Sequence, residues 1–300
     1  MFAVTILGCN SAIPAHGRNP TAQILQTQDH SFLIDCGEGT QMQIAKYKVK
    51  LNKLSHIFIS HLHGDHYFGL VGLLSSMSLL NRTHDIHIYG PSLIKDIITL
   101  QLNVSKTILS YPLHFHPLGE NTMIAETNKI SIESFRVDHD IDCWGFLFRE
   151  KKNPRSVDPE KVKPFEIPSS FYDKLQKGEN YTTKKGTIIL NEEVTIANSA
   201  SKSYAFCADT IYRESIASIV KEVDLLYYET TYLKDQEEKA AARFHSTTIQ
   251  AGRIAKLANV KRLIIGHYSS RYESIDVFLE ETKEIFDNTV LAIEGSCFSV

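Results

Sequence analysis

His61-Leu62-His63-Gly64-Asp65-His66 is the stretch on which the reading of this chain turns. Three imidazoles and a carboxylate fall within six residues, directly after the β-like run His56-Ile57-Phe58-Ile59-Ser60. Neutral imidazole nitrogens together with an oxygen ligand suit zinc in low-coordinate geometry. On a strand or tight turn His61 and His63 lie on the same side, because side chains alternate with period two. Asp65 and His66 follow where the chain leaves the strand. The hexapeptide alone therefore offers two ligand pairs to two neighbouring metals.

Outward from it, short apolar runs alternate with helical patterns, the layout of a layered α/β protein. Phe32-Leu33-Ile34 reads as a strand ending in Asp35, and Ile130 to Phe135 as one leading to His139. Tyr204-Ala205-Phe206 leads to Asp209, Leu225 to Tyr228 leads to Glu229, and Leu263-Ile264-Ile265 leads to His267. Gly69 to Leu80 and Ile249 to Leu257 read as helices. Ligand-type residues thus recur just past the carboxyl ends of apolar strands, the rim where rigid strands aim loop residues at one crevice. Taken singly, His139, Asp209 and His267 are ordinary polar residues at strand ends. Two zinc ions need more donors than the hexapeptide supplies, and a carboxylate able to bridge, such as Asp209, completes the set.

Three further groups bear on the site. Asp35-Cys36-Gly37-Glu38-Gly39-Thr40-Gln41 is a strand followed by a Gly-rich turn. Plain turn chemistry explains its glycines, while Asp35 can accept a hydrogen bond from a ligand histidine or from the hexapeptide backbone. Ser246 reads as the N-cap of the helix after it, which sets His245 beside a helix N-terminus, a place that favours anions. His114-Phe115-His116 has ligand spacing but no third donor close by, and is read with His84 and His87 as structural or surface histidines.

The chain has 300 residues and a formal net charge of −3, so a nucleic-acid partner has to be met by a local patch. One segment supplies it. From Arg149 to Gly186, ten Lys or Arg stand against six acids, a net +4 that leaves −7 for the remainder. Four prolines interrupt its first half, and Ser170 to Lys177 is its best short helix. The alternative is a solvated insertion with no partner. The five cysteines lack any CxxC pair and read as reduced thiols of a cytoplasmic protein. No signal peptide or membrane span is expected, since the opening run Phe2 to Leu7 reads as a first strand.

The motifs together resemble ribonuclease Z, the tRNA 3′-processing endonuclease of the metallo-β-lactamase superfamily. The resemblance rests on Pro14 with Arg18-Asn19, the Asp35–Gln41 block, His61–His66 followed by Gly69-Leu70, His139, Asp209-Thr210, Glu229, His245-Ser246-Thr247 and His267-Tyr268-Ser269-Ser270-Arg271-Tyr272. The hexapeptide by itself marks only the superfamily; the Asp35, His245 and His267 blocks narrow it. The resemblance implies a single metallo-β-lactamase-fold domain over 1–300, an αββα sandwich, with the basic arm at 149–186 as its tRNA exosite. It implies two zinc ions per subunit, one on His61, His63 and His139 and the other on Asp65, His66 and His267, bridged by Asp209. It further implies a homodimer acting on precursor tRNA. The arm departs from the family in reading Glu166-Ile167-Pro168-Ser169-Ser170, with no glycine before Gly178. The N-terminal motif, Pro14-Ala15-His16-Gly17-Arg18-Asn19, lacks the family's usual lysine or threonine.

The expected chemistry is phosphodiester hydrolysis. Asp65 orients the attacking water or takes its proton, His245 acts as general acid, and Glu229 orients His245. Two rivals use the same residues: another metallohydrolase of this fold, such as a cyclic-nucleotide phosphodiesterase, and a non-catalytic RNA-binding or zinc-storage module.

Overall fold

The computed structural model describes residues 2–151, 154–198 and 200–300. Lys152 of the basic segment lies outside the described residues. The chain divides into two compact units, one of Met1–Ala125, Ile132–Phe148 and Lys202–Val300, the other of Glu126–Ser131 and Arg149–Ser201.

Two seven-stranded sheets frame the first unit. One is ordered Cys297–Ser299, Phe2–Gly8, Ala22–Thr27, Ser31–Ile34, Leu54–Phe58, Ile86–Gly90, Leu113–Pro117. The other is ordered Thr289–Leu291, Arg262–Gly266, Leu225–Glu229, Ser203–Cys207, Cys143–Glu150, Ile130–Val137, Thr122–Glu126. Strands Ser31–Ile34 through Leu113–Pro117 run parallel, as do Ser203–Cys207 through Thr289–Leu291.

Period-two alternation explains the layers. In the first sheet Leu33, Ile57 and Ile88 share a core with Ile44, Leu70, Leu74 and Ile98 of helices Thr40–Lys46, Leu70–Leu79 and Ile94–Val104. Their strand neighbours Phe32 and Phe58 point the other way. They meet Phe146 and Phe148 of the second sheet at ring-centroid distances of 5.3–5.7 Å. Each fully buried aromatic of this kind contributes about 1.5–3 kcal/mol. Helices Thr248–Leu257 and Asp276–Lys283 pack on the second sheet and complete the αββα sandwich.

Several boundaries move from their sequence reading. The strand before the hexapeptide stops at Phe58 rather than Ser60, because the Ser60 N–H leaves the ladder for Asp35 Oδ1, 2.8 Å away. The helix after His245 is capped by Thr247, not Ser246. Thr247 forms a capping box with Gln250, while the Ser246 hydroxyl is occupied by the Thr210 carbonyl at 2.8 Å.

The second unit is a small folded body in its own right. Val162, Ile167, Leu175, Ile189 and Val194 form its core. Asp158 caps the helix Pro159–Val162, with proline at the first helical position where no N–H is needed. The Asn191 side-chain amide donates to the carbonyls of Leu175 (2.6 Å) and Glu179 (3.1 Å), fixing the turn between them. The segment read as a helix over Ser170–Lys177 is a 3-10 turn, Ser169–Phe171, running into the helix Tyr172–Gln176. The basic segment 149–186 lies inside this unit, which continues to Ser201.

Candidate metal centre

Strands of both sheets end at one rim of the first unit and deliver the functional side chains there. The hexapeptide leaves its strand as an extended loop, and His63 becomes the N-cap of the short helix Gly64–Tyr67. That helix turns Asp65 and His66 back towards His61. Two glycines allow the close approach: a Cβ on Gly37 would stand 2.3 Å from the Asp65 carbonyl, and one on Gly69 would stand 2.3 Å from the Gly37 carbonyl. Asp35, Phe244 and His267 adopt left-handed backbone conformations, with φ of 55°, 55° and 63°. Such strain persists only where surrounding contacts over-determine it.

The donor atoms converge in two groups. His61 Nε2 and His139 Nε2 lie 3.1 and 3.2 Å from His63 Nδ1. His66 Nε2 and His267 Nε2 lie 3.5 and 3.4 Å from Asp65 Oδ2. Asp209 stands between the groups, with Oδ2 at 3.7 Å from His61 and 3.4 Å from His66, and Oδ1 at 3.3 Å from His267. Tetrahedral ligands about 2.0–2.1 Å from one zinc ion stand roughly 3.3–3.4 Å apart, so these spacings are those of donors sharing an ion. His66 Nε2 and His267 Nε2 are buried and satisfy no hydrogen bond, a costly state unless a cation takes the lone pairs.

Electrostatics agree. Burial works against charge on His66, yet Asp209, Asp65 and Asp35 outweigh it and push the ring well above its ordinary range. Burial would raise Asp209, but His267, His66 and His61 hold it well below the usual carboxylate range. Burial and the neighbouring His66 lower His61. The site demands positive charge and supplies mostly neutral nitrogen and anionic oxygen donors, so its residues fit divalent cations.

Further contacts aim these donors, the usual support of metal-ligating histidines. Asp35 Oδ2 accepts from His66 Nδ1 at 2.7 Å, and its carboxylate also receives the Ser60 N–H and hydroxyl. His61 Nδ1 meets Ser60 Oγ at 3.0 Å, His139 Nδ1 meets the Phe244 carbonyl at 3.0 Å, and His267 Nδ1 meets Thr231 Oγ1 at 2.9 Å. The Ala12 N–H donates to Asp65 Oδ2 at 2.7 Å.

His245 adjoins these supports, with its Nδ1 also 3.2 Å from Thr231 Oγ1. Its Nδ1 lies 3.0 Å from Glu229 Oε1. Glu229 is fully buried and also receives the N–H groups of Thr210, Thr231 and Ser246. Burial opposes a charge on the ring, but Glu229, Asp209 and Asp65 outweigh it and raise His245 to about 9. His245 lines two clefts. One, of about 540 Å³, also holds His63, His139, Asp140, Lys239, Arg243 and Arg271. The other, of about 460 Å³, holds Asp65, Asp209, Glu38 and Phe68.

All seven expected donors, Asp35, Glu229 and His245 therefore meet at one place. The histidines at 87, 114 and 116 stack on one another elsewhere in the first sheet, and His114 pairs with Asp85 at 2.7 Å. Sequence reasoning missed Ser60, Thr231, Asp140 and the Phe244 carbonyl. Asp140 Oδ1 is 3.1 Å from His139 Nε2. Only Ser60, adjoining the hexapeptide, carried any signal; a carbonyl acceptor carries none.

Fold and donor set together define a metal-binding hydrolase of the metallo-β-lactamase class. The protein resembles the short form of human tRNase Z, with a TM-score of 0.73 and 26% identity over 99% of both chains. It also shares its fold with the metallo-β-lactamase-fold protein YhfI of Bacillus subtilis, with a TM-score of 0.69 and 20% identity over the whole of both chains. A family model described as anti-Pycsar protein Apyc1 matches residues 2–161, which include the hexapeptide and His139 but end before Asp209. Ribonuclease Z of Bacteroides fragilis is 39% identical over 100% of this chain and 99% of its own length. The chain belongs to the ribonuclease Z family, the hydrolytic endoribonucleases of that superfamily.

Proposed function

We propose that this chain cuts the 3′ trailer from precursor tRNA with two zinc ions, leaving a 3′-hydroxyl on the tRNA and a 5′-phosphate on the trailer. The observation that carries the reading is His245, clamped by Glu229 at 3.0 Å beside seven converging donors, in a chain related to ribonuclease Z over its full length. A binding or storage module needs no such acid.

His61, His63 and His139 would hold one ion and Asp65, His66 and His267 the other, with the Asp209 carboxylate within reach of both donor groups. Bound there, the ions lower the pKa of water towards neutrality and offset charge building on the phosphoryl oxygens. Asp65 orients the attacking water or takes its proton. The buried Glu229 carboxylate, 3.0 Å from His245 Nδ1, favours the protonated ring, and His245 gives its proton to the departing 3′ oxygen. General acid catalysis of this kind contributes about a hundredfold to ten-thousandfold. Glu229 fixes the ring so that Nε2 delivers the proton.

The second unit grips tRNA through its exposed lysines, and its compact core makes it a rigid exosite. Leu79, Leu80, Leu100, Val104 and Ile108 are large, apolar and exposed, which supports pairing of two chains as a homodimer. No helix among the described residues is long and apolar enough to cross a membrane, and the cysteines are free; a cytoplasmic enzyme fits both. Precursor tRNA and a cyclic nucleotide, assayed side by side, test the reading. The expected result is efficient, site-specific cleavage of the tRNA with a 3′-hydroxyl product. Faster turnover of the cyclic nucleotide would replace it with the phosphodiesterase reading.

A further inference from the structure

A third cleft, of about 790 Å³, opens beside the metal centre. It shares His63 with the two clefts already described, but His245 does not line it. Leu62, Pro91, Leu93, Leu118 and Ile141 give it apolar walls. Trp144, the chain's single tryptophan, is fixed beneath it. Its indole N–H donates to the Gly119 carbonyl at 2.6 Å, and its backbone N–H to the Ser60 carbonyl at 3.1 Å. Trp144 is only 4% exposed. The group presented to the cleft above it is Arg136, whose guanidinium carbon lies 4.6 Å from the indole centroid. Asp142 Oδ1 accepts from Arg136 Nη2 at 2.7 Å.

This arrangement does not make a phosphate clamp, because Asp142 already balances the charge. It makes a flat, weakly hydrated platform, held from below by an indole and from the side by a carboxylate. Guanidinium planes of this sort stack on unpaired nucleobases. The volume suits a small-molecule-sized group between the apolar walls, with His63, Ser92, Glu120, Arg136 and Asp142 as the polar side chains that line it.

The direction of the reaction says which base. Hydrolysis that leaves a 3′-hydroxyl forms a bond from water oxygen to phosphorus and breaks the bond from phosphorus to O3′. The O3′ takes a proton from His245, the water gives one to Asp65, and the phosphate stays with the trailer. The last tRNA nucleoside therefore lies on the His245 side, in the first two clefts, and the first trailer nucleosides lie away from it. We propose that the Arg136–Trp144 cleft is the subsite for an unpaired trailer base, stacked on the Arg136 guanidinium. The proposal rests on the reading of His245 as the acid for O3′.

Two precursor tRNAs test it, one with a normal trailer and one whose first two trailer nucleotides are abasic. Wild-type protein is expected to lose about tenfold in kcat/KM on the abasic substrate, the order of one base stack. Arg136→Ala is expected to lose about tenfold on the normal trailer but no more than about twofold on the abasic one. Leu93→Glu, a change at an exposed wall position, is expected to repeat that pattern if Arg136→Ala folds poorly. Equal losses on both substrates, or no abasic penalty in the wild type, overturn the subsite. Failure of the wild type to cut either tRNA would instead overturn the underlying ribonuclease reading.

Discussion

The rim of the two large sheets and the basic second unit treat charged side chains in opposite ways. At the rim, charge is buried and every group is fixed by a neighbour: His66 by Asp35, His267 by Thr231, His245 by Glu229. In the second unit the core is aliphatic and no described charge is buried. Lys177, Lys184 and Lys185 lie in solvent around a core of five aliphatic side chains. Chemistry needs donors within a few tenths of an ångström, whereas attraction to a polyanion needs only net charge within a Debye length. A single substitution that removes a donor or the acid should therefore be severe at the rim, and one in the second unit mild.

The largest effect expected is from Asp209→Ala, which removes the carboxylate shared by both donor groups. Metal content should fall and precursor tRNA cleavage should drop to background; plasma emission spectrometry and a gel assay measure the two. Next, His245→Ala should keep its metal yet lose about a hundredfold to ten-thousandfold in kcat; normal turnover would remove His245 from the reaction. Asp35→Asn, which changes the support of His66 and Ser60 but removes no donor, should weaken metal affinity by about ten- to a hundredfold, read by competition with a chelator dye. In the second unit, Lys177→Ala, Lys184→Ala and Lys185→Ala combined should raise KM for precursor tRNA by roughly tenfold and flatten its salt dependence, by about one unit of log-log slope per lost phosphate contact. Deleting 152–185 is the poorer test, because it removes Val162, Ile167 and Leu175 and leaves Ile189 and Val194 with no core.

The smallest effect at neutral pH should come from Glu229→Gln. Loss of the carboxylate that raises His245 lowers the pKa of the ring, so less of it is protonated at any given pH. The alkaline limb of the rate profile should move to lower pH, with a few-fold loss near pH 7. An unmoved limb would show that His245 is not the group titrating there.

Metal chemistry made the rim readable from sequence. Few residue types can serve as donors, and strands that end together bring His139, Asp209 and His267 to the hexapeptide however far apart they lie in the chain. Two supporting carboxylates, Asp35 and Glu229, were readable, while Asp140, charged and next to His139, was not singled out. Thr231 resembles any other threonine at a strand end, and the Phe244 carbonyl has no side-chain signature. Boundaries slipped where two local rules competed. Ser246 and Thr247 are both good caps, and the Thr210 carbonyl decides between them by engaging Ser246. In the second unit, net charge and prolines marked a projecting basic arm with one short helix at Ser170 to Lys177. Its core residues, from Val162 to Val194, follow neither helical nor strand periodicity, so composition hid a folded body.

One experiment bears on the whole account more directly than any rate. Anomalous diffraction at the zinc edge, from crystals of the zinc-loaded protein, should show two peaks about 3.5–4 Å apart. One should lie within bonding distance of His61, His63 and His139, the other of Asp65, His66 and His267, with Asp209 touching both. A single peak, or His139, Asp209 and His267 turned away from the ions, would contradict it.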